Sequence, residues 1–92
     1  MTDNDTDDET LLEFPCDFPI KAMGKAADDF DSHVVQIVRK HTDDLAEGSV
    51  TTRPSTNGNY LSVTVVVHAT SKRQLDDIYL DLTASDRIIM VF

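Results

Sequence analysis

YLSVTVVVHAT, residues 60–70, alternates along its whole length. Leu61, Val63, Val65, Val67 and Ala69 fall on one side; Tyr60, Ser62, Thr64, Val66, His68 and Thr70 fall on the other. A period of two is the period of a strand, and the β-branched residues suit a pleated, half-buried surface. One side is apolar and the other largely polar, so this strand belongs to a sheet with one covered face and one open face. Just upstream, Asn57-Gly58 within Ser55–Asn59 accepts positive φ and predicts a tight hairpin. Its other arm is Val50-Thr51-Thr52-Arg53, a short strand closed by Pro54, a residue tolerated at sheet edges.

Outward from the hairpin, helices take over. Ser71 and Gln74 form an S-x-x-Q capping box, and the helix it opens sets Leu75, Ile78, Tyr79 and Leu82 on one face. Arg87–Phe92 then reads as a last strand, apolar on both sides. Toward the N-terminus, Phe18 to Met23 alternates, with Phe18, Ile20 and Ala22 together, and Gly24 ends it. Asp28 to His41 carries Phe30, Val34, Ile37, Val38 and His41 at amphipathic-helix spacing. Asp28, Asp29 and Asp31 stand in its first turn and Arg39, Lys40 and His41 in its last, matching the helix dipole at both ends. The order β-α-β-β-α-β predicts an α+β, ferredoxin-like two-layer sandwich: a four-stranded antiparallel sheet of order 4-1-3-2 with both helices on one face.

Length and charge narrow the function. Ninety-two residues make one domain. Eight Lys and Arg against 17 Asp and Glu give a net charge of −9, which opposes nucleic acid and anionic membrane as partners. Asp3, Asp5, Asp7, Asp8, Glu9 and Glu13 hold six of those charges with no base among them. Residues 1–10 therefore read as a disordered acidic tail, and residues 11–92 as the single domain. No apolar run approaches the ~20 residues of a membrane span. A lone cysteine, Cys16, makes no internal disulfide and suits a reducing cytoplasm.

Two segments resemble a known family. Leu11-Leu12-Glu13-Phe14-Pro15, Phe18 and Lys21-Ala22-Met23-Gly24 resemble the opening motif of the YbeD-like proteins, short bacterial proteins of unassigned function. Arg53-Pro54-Ser55, Gly58, Tyr60 and Ser62-Val63 resemble their second motif, and Ile89–Phe92 their apolar close. The resemblance implies a ferredoxin-like fold related to the ACT regulatory domains, which bind amino acids beside metabolic enzymes. It also implies a link to lipoate metabolism. In ACT-like domains an effector is often received where Gly24 stands; the plainer role for Gly24 is a positive-φ turn before a helix.

Catalysis finds little footing. Cys16 has no base or cation assigned to lower its pKa. His33, His41 and His68 are not spaced as zinc ligands, and no phosphate-binding or nucleophile-elbow motif occurs. Asp76, Asp77 and Asp81 lie off the apolar face of their helix and read as solvated. No enzyme, cofactor or metal is expected, and a Cys16-dependent accessory enzyme is the remote alternative. A binding surface fares better. Lys21 and Arg53 face away from the helices and join Tyr60, Ser62, Thr64 and His68 on the open side, a surface suited to a small anionic metabolite or a carboxylate-bearing protein partner. Met23, Val66, Ile89 and Val91 are expected on the same side, where their exposure points to a homodimer or a protein adaptor. The reading is a regulatory or binding domain that docks on a metabolic enzyme or senses a small anion.

Overall fold

The computed structural model describes residues 13–92. The expected acidic tail, together with Leu11 and Leu12, lies outside the described residues. Strands β1 (Cys16–Lys25), β2 (Val50–Pro54), β3 (Tyr60–Ala69) and β4 (Ile88–Val91) form one antiparallel sheet of order β2-β3-β1-β4. Helix α1 (Phe30–Arg39) follows β1, and α2 (Lys72–Thr83) follows β3. This is the βαββαβ arrangement expected from the sequence.

The alternation of residues 60–70 sets the layers. β3 pairs with β1 from Cys16 opposite Ala69 to Lys25 opposite Tyr60. That register buries Ile20, Ala22, Val63, Val65, Val67 and Ala69 beneath Phe30, Val34, Ile37 and Val38 of α1 and Leu75, Ile78 and Leu82 of α2. Each large apolar side chain so buried contributes about 1.5–3 kcal/mol. Ser71 caps α2 as expected by accepting from the Gln74 amide at 3.1 Å. The Gln74 side chain reaches one residue further back than a capping box requires, accepting from Thr70 N–H at 2.8 Å, and donates to the His41 carbonyl at 2.9 Å. One side chain thus ties the start of α2 to the end of α1.

Two prolines sit inside strands without breaking them. Lys21 exchanges backbone hydrogen bonds of 2.8 Å with Phe92, so the backbone groups of Pro19, two residues earlier, point to the same side, past the end of β4. Ser55 donates to the Tyr60 carbonyl at 2.8 Å, so Arg53 faces β3 and the ring nitrogen of Pro54 faces outward. Pro54 is therefore the last residue of β2, closing the strand from within it.

Two expectations are corrected. Gly24 neither ends β1 nor adopts positive φ; among the described residues Gly58, at φ 76°, is the glycine that does. Gly24 is buried, and a Cβ there would collide with the Arg87 carbonyl and lie 2.5 Å from Phe30 Cε1, so the close packing requires a residue without a side chain. Val91 does not face outward. The β1–β4 register slips between Met23 and Gly24, Met90 pairing with Met23 but Ile88 with Gly24. The extra residue, Ile89, forms a bulge that leaves Ile89 and Met90 exposed and turns Val91 onto the core.

Gly24→Ala is expected to lower stability by about 1–3 kcal/mol through overpacking. Gly48→Ala, where a Cβ meets nothing within 4 Å, should change it by less than about 0.5 kcal/mol. Urea unfolding of the two variants checks the contrast.

Candidate functional site

The sheet register arranges the open face in rows. Phe92, Lys21, Thr64 and Thr51 run across the four strands, and Met90, Met23, Ser62 and Arg53 form the next row. Lys25 pairs with Tyr60 beyond them; Pro19 with Val66, and Asp17 with His68, lie on the other side. Lys21 and Arg53 are separated by two strands and one row, which places their Cα atoms roughly 12 Å apart. Their side chains, with Thr51, Ser62, Thr64 and Pro54, line a shallow depression of about 480 Å³. Among the described residues neither cation has a carboxylate within ion-pair distance.

Three of the expected site residues thus converge: Lys21, Arg53 and Ser62. The others do not join them. Tyr60 and His68 stand eight residues apart on one strand, about 26 Å. His68 Nδ1 lies 3.2 Å from Asp17 Oδ1 and lines a separate polar cavity with His41 and Gln74. Tyr60 borders a third cavity, of about 500 Å³, with Lys25, Arg87 and Ile89. Gly24 lies beneath Phe30 and offers a ligand no surface.

Thr51 was legible in the sequence, since a strand that turns Val50 and Thr52 inward must turn Thr51 outward. Phe92 was not: it reaches the face by pairing with Lys21 beyond the bulge, and its ring centroid lies 5.6 Å from Lys21 Nζ. That contact draws the ammonium toward β4. An exposed cation–π contact contributes about 0.5–1 kcal/mol, against about 1.5–3 kcal/mol for a charge-assisted hydrogen bond, so an anion between Lys21 and Arg53 can recruit it.

Elsewhere the polar groups are committed to the fold. Cys16 packs against the core edge as a small apolar group, opposite Ala69. Asp81, expected to be solvated, meets His41 Nε2 at 3.0 Å and joins the ends of the two helix regions. His33 Nε2 contacts Ser85 Oγ at 2.7 Å. Asp29 does not cap α1 with its side chain; Arg87 grips its carboxylate with two donors, at 2.7 and 3.2 Å. The Arg87 hydrogen bond holds the Asp29 carboxyl below its ordinary value of 3.8, and the same bond raises Arg87.

The family described as protein of unknown function DUF493 matches residues 9–92. A UPF0250 protein of Paraburkholderia phytofirmans is 49% identical over 83 residues, 90% of this chain and 93% of that one. UPF0250 protein RSc0326 of Ralstonia nicotianae is 48% identical over 83 residues, 90% of this chain and 86% of that one. A UPF0250 protein of Ectopseudomonas mendocina is 42% identical over 92 residues, 99% of each. The solution structure of protein HP0495 from H. pylori superimposes with a TM-score of 0.64 at 12% identity, covering 88% of this chain and 85% of that one. That likeness is one of fold.

A carboxylate whose folded pKa is depressed adds stability above its unfolded pKa and loses it as pH falls through the folded value. The stability difference between the parent and Asp29→Asn should be fully present above about pH 5, narrow below the ordinary value of 3.8, and shrink in high salt. Thermal melts along a pH series measure it.

Proposed function

From the premise that this chain belongs to the DUF493 family of small bacterial proteins of unknown function, we propose that it is a non-enzymatic binding module whose open sheet face recognises a small carboxylate- or phosphate-bearing metabolite. The observation that carries this is the placement of Lys21 and Arg53 on either side of Thr64 and Ser62, in a chain of net charge −9. Cations gathered on a face with hydroxyls between them supply charge and directional donors to one anion. Arg53 offers a planar fork and Lys21 a compact, mobile charge, so a two-oxygen group fits better than a halide. A free thiol packed against the core suits a reducing cytoplasm, where we place the protein.

Regulation follows if the anion binds the free module and its enzyme-bound form unequally, the sole way a ligand shifts such an equilibrium. The lipoate link implied by the sequence resemblance meets this reading at one point: lipoate is a carboxylate with an apolar chain, and Met23, Met90 and Phe92 stand beside Lys21 and Arg53.

Exposed Val66, Ile89, Met90 and Phe92 favour a second reading, an adaptor or homodimer through the same face. Light scattering across a concentration series tests the homodimer, and constant monomer mass removes it.

Inorganic phosphate and succinate are the probes for the ligand reading. Saturable amide shifts are expected at Thr51, Ser62 and Thr64, and Lys21→Ala or Arg53→Ala should weaken binding about tenfold, equivalent to about 1.4 kcal/mol. Shifts that survive both substitutions, or that fall elsewhere on the surface, contradict the proposal.

A further inference from the structure

Exposed apolar groups are distributed as unevenly as charge. Among the described residues the large apolar side chains left exposed are Tyr60, Val66, Leu80, Ile89, Met90 and Phe92, and of these Leu80 alone belongs to the helix layer. The other five share the open side with Lys21, Lys25 and Arg53, and the two kinds interleave. Met90 and Met23 lie in one row with Arg53, Phe92 lies beside Lys21, and Tyr60 and Ile89 border Lys25. Ile89, Met90 and Phe92 keep 58, 47 and 50% of their surface exposed, so each has about half a residue still to bury. Asp17, held 3.2 Å from His68, and Asp86, at the rim beside Lys25, border this side without ion-pairing to the three cations.

The shape of the sheet and its charge select an occupant. A strand added from outside meets Pro54 on the β2 edge, the bulge at Ile89 on the β4 edge, and Asp17 and Pro19 where β1 runs past β4. Proline, bulges and charge at an edge all oppose strand pairing. A second copy seated face to face would bring two cationic surfaces together. The face itself holds a shallow depression between Lys21 and Arg53, so it suits a broad, flat, anionic partner. An anionic bilayer is such a partner: it offers phosphates to cations and takes exposed apolar side chains into its interface. The net charge of −9 belongs to the whole chain, whereas a surface feels charges within a Debye length, about 8 Å at physiological salt. Asp76 and Asp77 are exposed on α2, and a helix is about 10–12 Å across, so these acids stand more than that length behind the sheet.

We infer that the open face seats on an anionic membrane surface, with lipid phosphates between Lys21 and Arg53 and with Ile89, Met90 and Phe92 in the interfacial layer. This rests on the binding reading above for the anion between the two cations, and goes beyond it in the source of that anion: a phosphodiester held in a bilayer. The strands stay at headgroup level, because unpaired edge N–H and C=O groups are costly in hydrocarbon. Cations supply a salt-sensitive attraction and the apolar side chains a salt-insensitive one, so neither set suffices alone.

The test is co-sedimentation of the full-length chain with vesicles of phosphatidylglycerol and phosphatidylcholine, beside vesicles of phosphatidylcholine alone and an amide NMR titration with inorganic phosphate. The chain should pellet with the anionic vesicles in about 0.1 M salt, stay in solution with the neutral ones, and be released in about 0.5 M salt. Lys21→Ala should weaken vesicle binding about fivefold, the worth of one cation at an anionic surface. Ile89→Ser with Met90→Ser should weaken it about tenfold while leaving the phosphate shifts at Thr51, Ser62 and Thr64 unchanged. Leu80→Ser, on the helix layer, should change neither, and thermal melts check that each variant folds. Failure to pellet with the anionic vesicles overturns the membrane contact, and phosphate shifts that persist then leave the ligand reading standing alone. Pelleting with no phosphate shift at those three amides upholds the membrane contact and sinks the dissolved ligand. Equal binding to neutral vesicles, or a loss caused by Leu80→Ser, contradicts a contact made by the cationic face.

Discussion

The pairing of β1 with β3 is the constraint on which the rest of the molecule depends. Ten residue pairs in unbroken register decide, for both central strands at once, which side chains meet the helices and which meet solvent. A slip of one residue would either send Val63, Val65 and Val67 outward or carry Lys21 beneath the helices, costing several kcal/mol in lost apolar burial. Everything on the open face inherits its position from this register. Pro19 leaves it intact because its missing N–H would have pointed past the end of β4, and Pro54 leaves the β2–β3 pairing intact because its ring nitrogen faces outward at the sheet edge.

That face is electrostatically unlike the rest of the protein. Lys21, Lys25 and Arg53 stand there against Asp17, which is engaged by His68. Acids of the described residues gather elsewhere, at the start of α1, in the loop after it and along α2. A net charge of −9 thus conceals a local excess of cations, and the sign of a partner follows from the local field. Exposed pairs of this kind are individually weak, so in the binding role proposed above selectivity would come from geometry: two cations of different shape reaching one group across hydroxyls.

The two layers, the strand order and the sidedness of Lys21 and Arg53 were readable in the sequence, because each follows from local periodicity. Residues 60–70 alternate without a fault, and Ser71 with Gln74 marks the helix that follows. What escaped depends on residues distant in sequence. The bulge at Ile89 answers to how β4 meets β1, so its effect on Val91 and Phe92 has no local sign. Gly24 was misread for a related reason: its lack of a side chain serves the approach of Phe30 and Arg87, not a turn. Asp29 with Arg87 and Asp81 with His41 are 58 and 40 residues apart; Asp29 read as a first-turn acid facing the helix dipole and Asp81 as solvated, and neither partner has a local sign.

The β1–β3 register can be read directly from cross-strand Hα–Hα nuclear Overhauser effects. Ala26 donates to the Asn59 carbonyl at 2.9 Å, so by alternation Lys21 with Thr64 and Met23 with Ser62 are pairs without mutual backbone bonds, whose Hα atoms lie closest. Strong effects between Lys21 and Thr64, and between Met23 and Ser62, are the predicted result. Lys21 contacting Val63 or Val65 in that manner would either place its side chain under the helices or turn the valines of β3 outward, and would contradict the layer assignment of the open-face cluster.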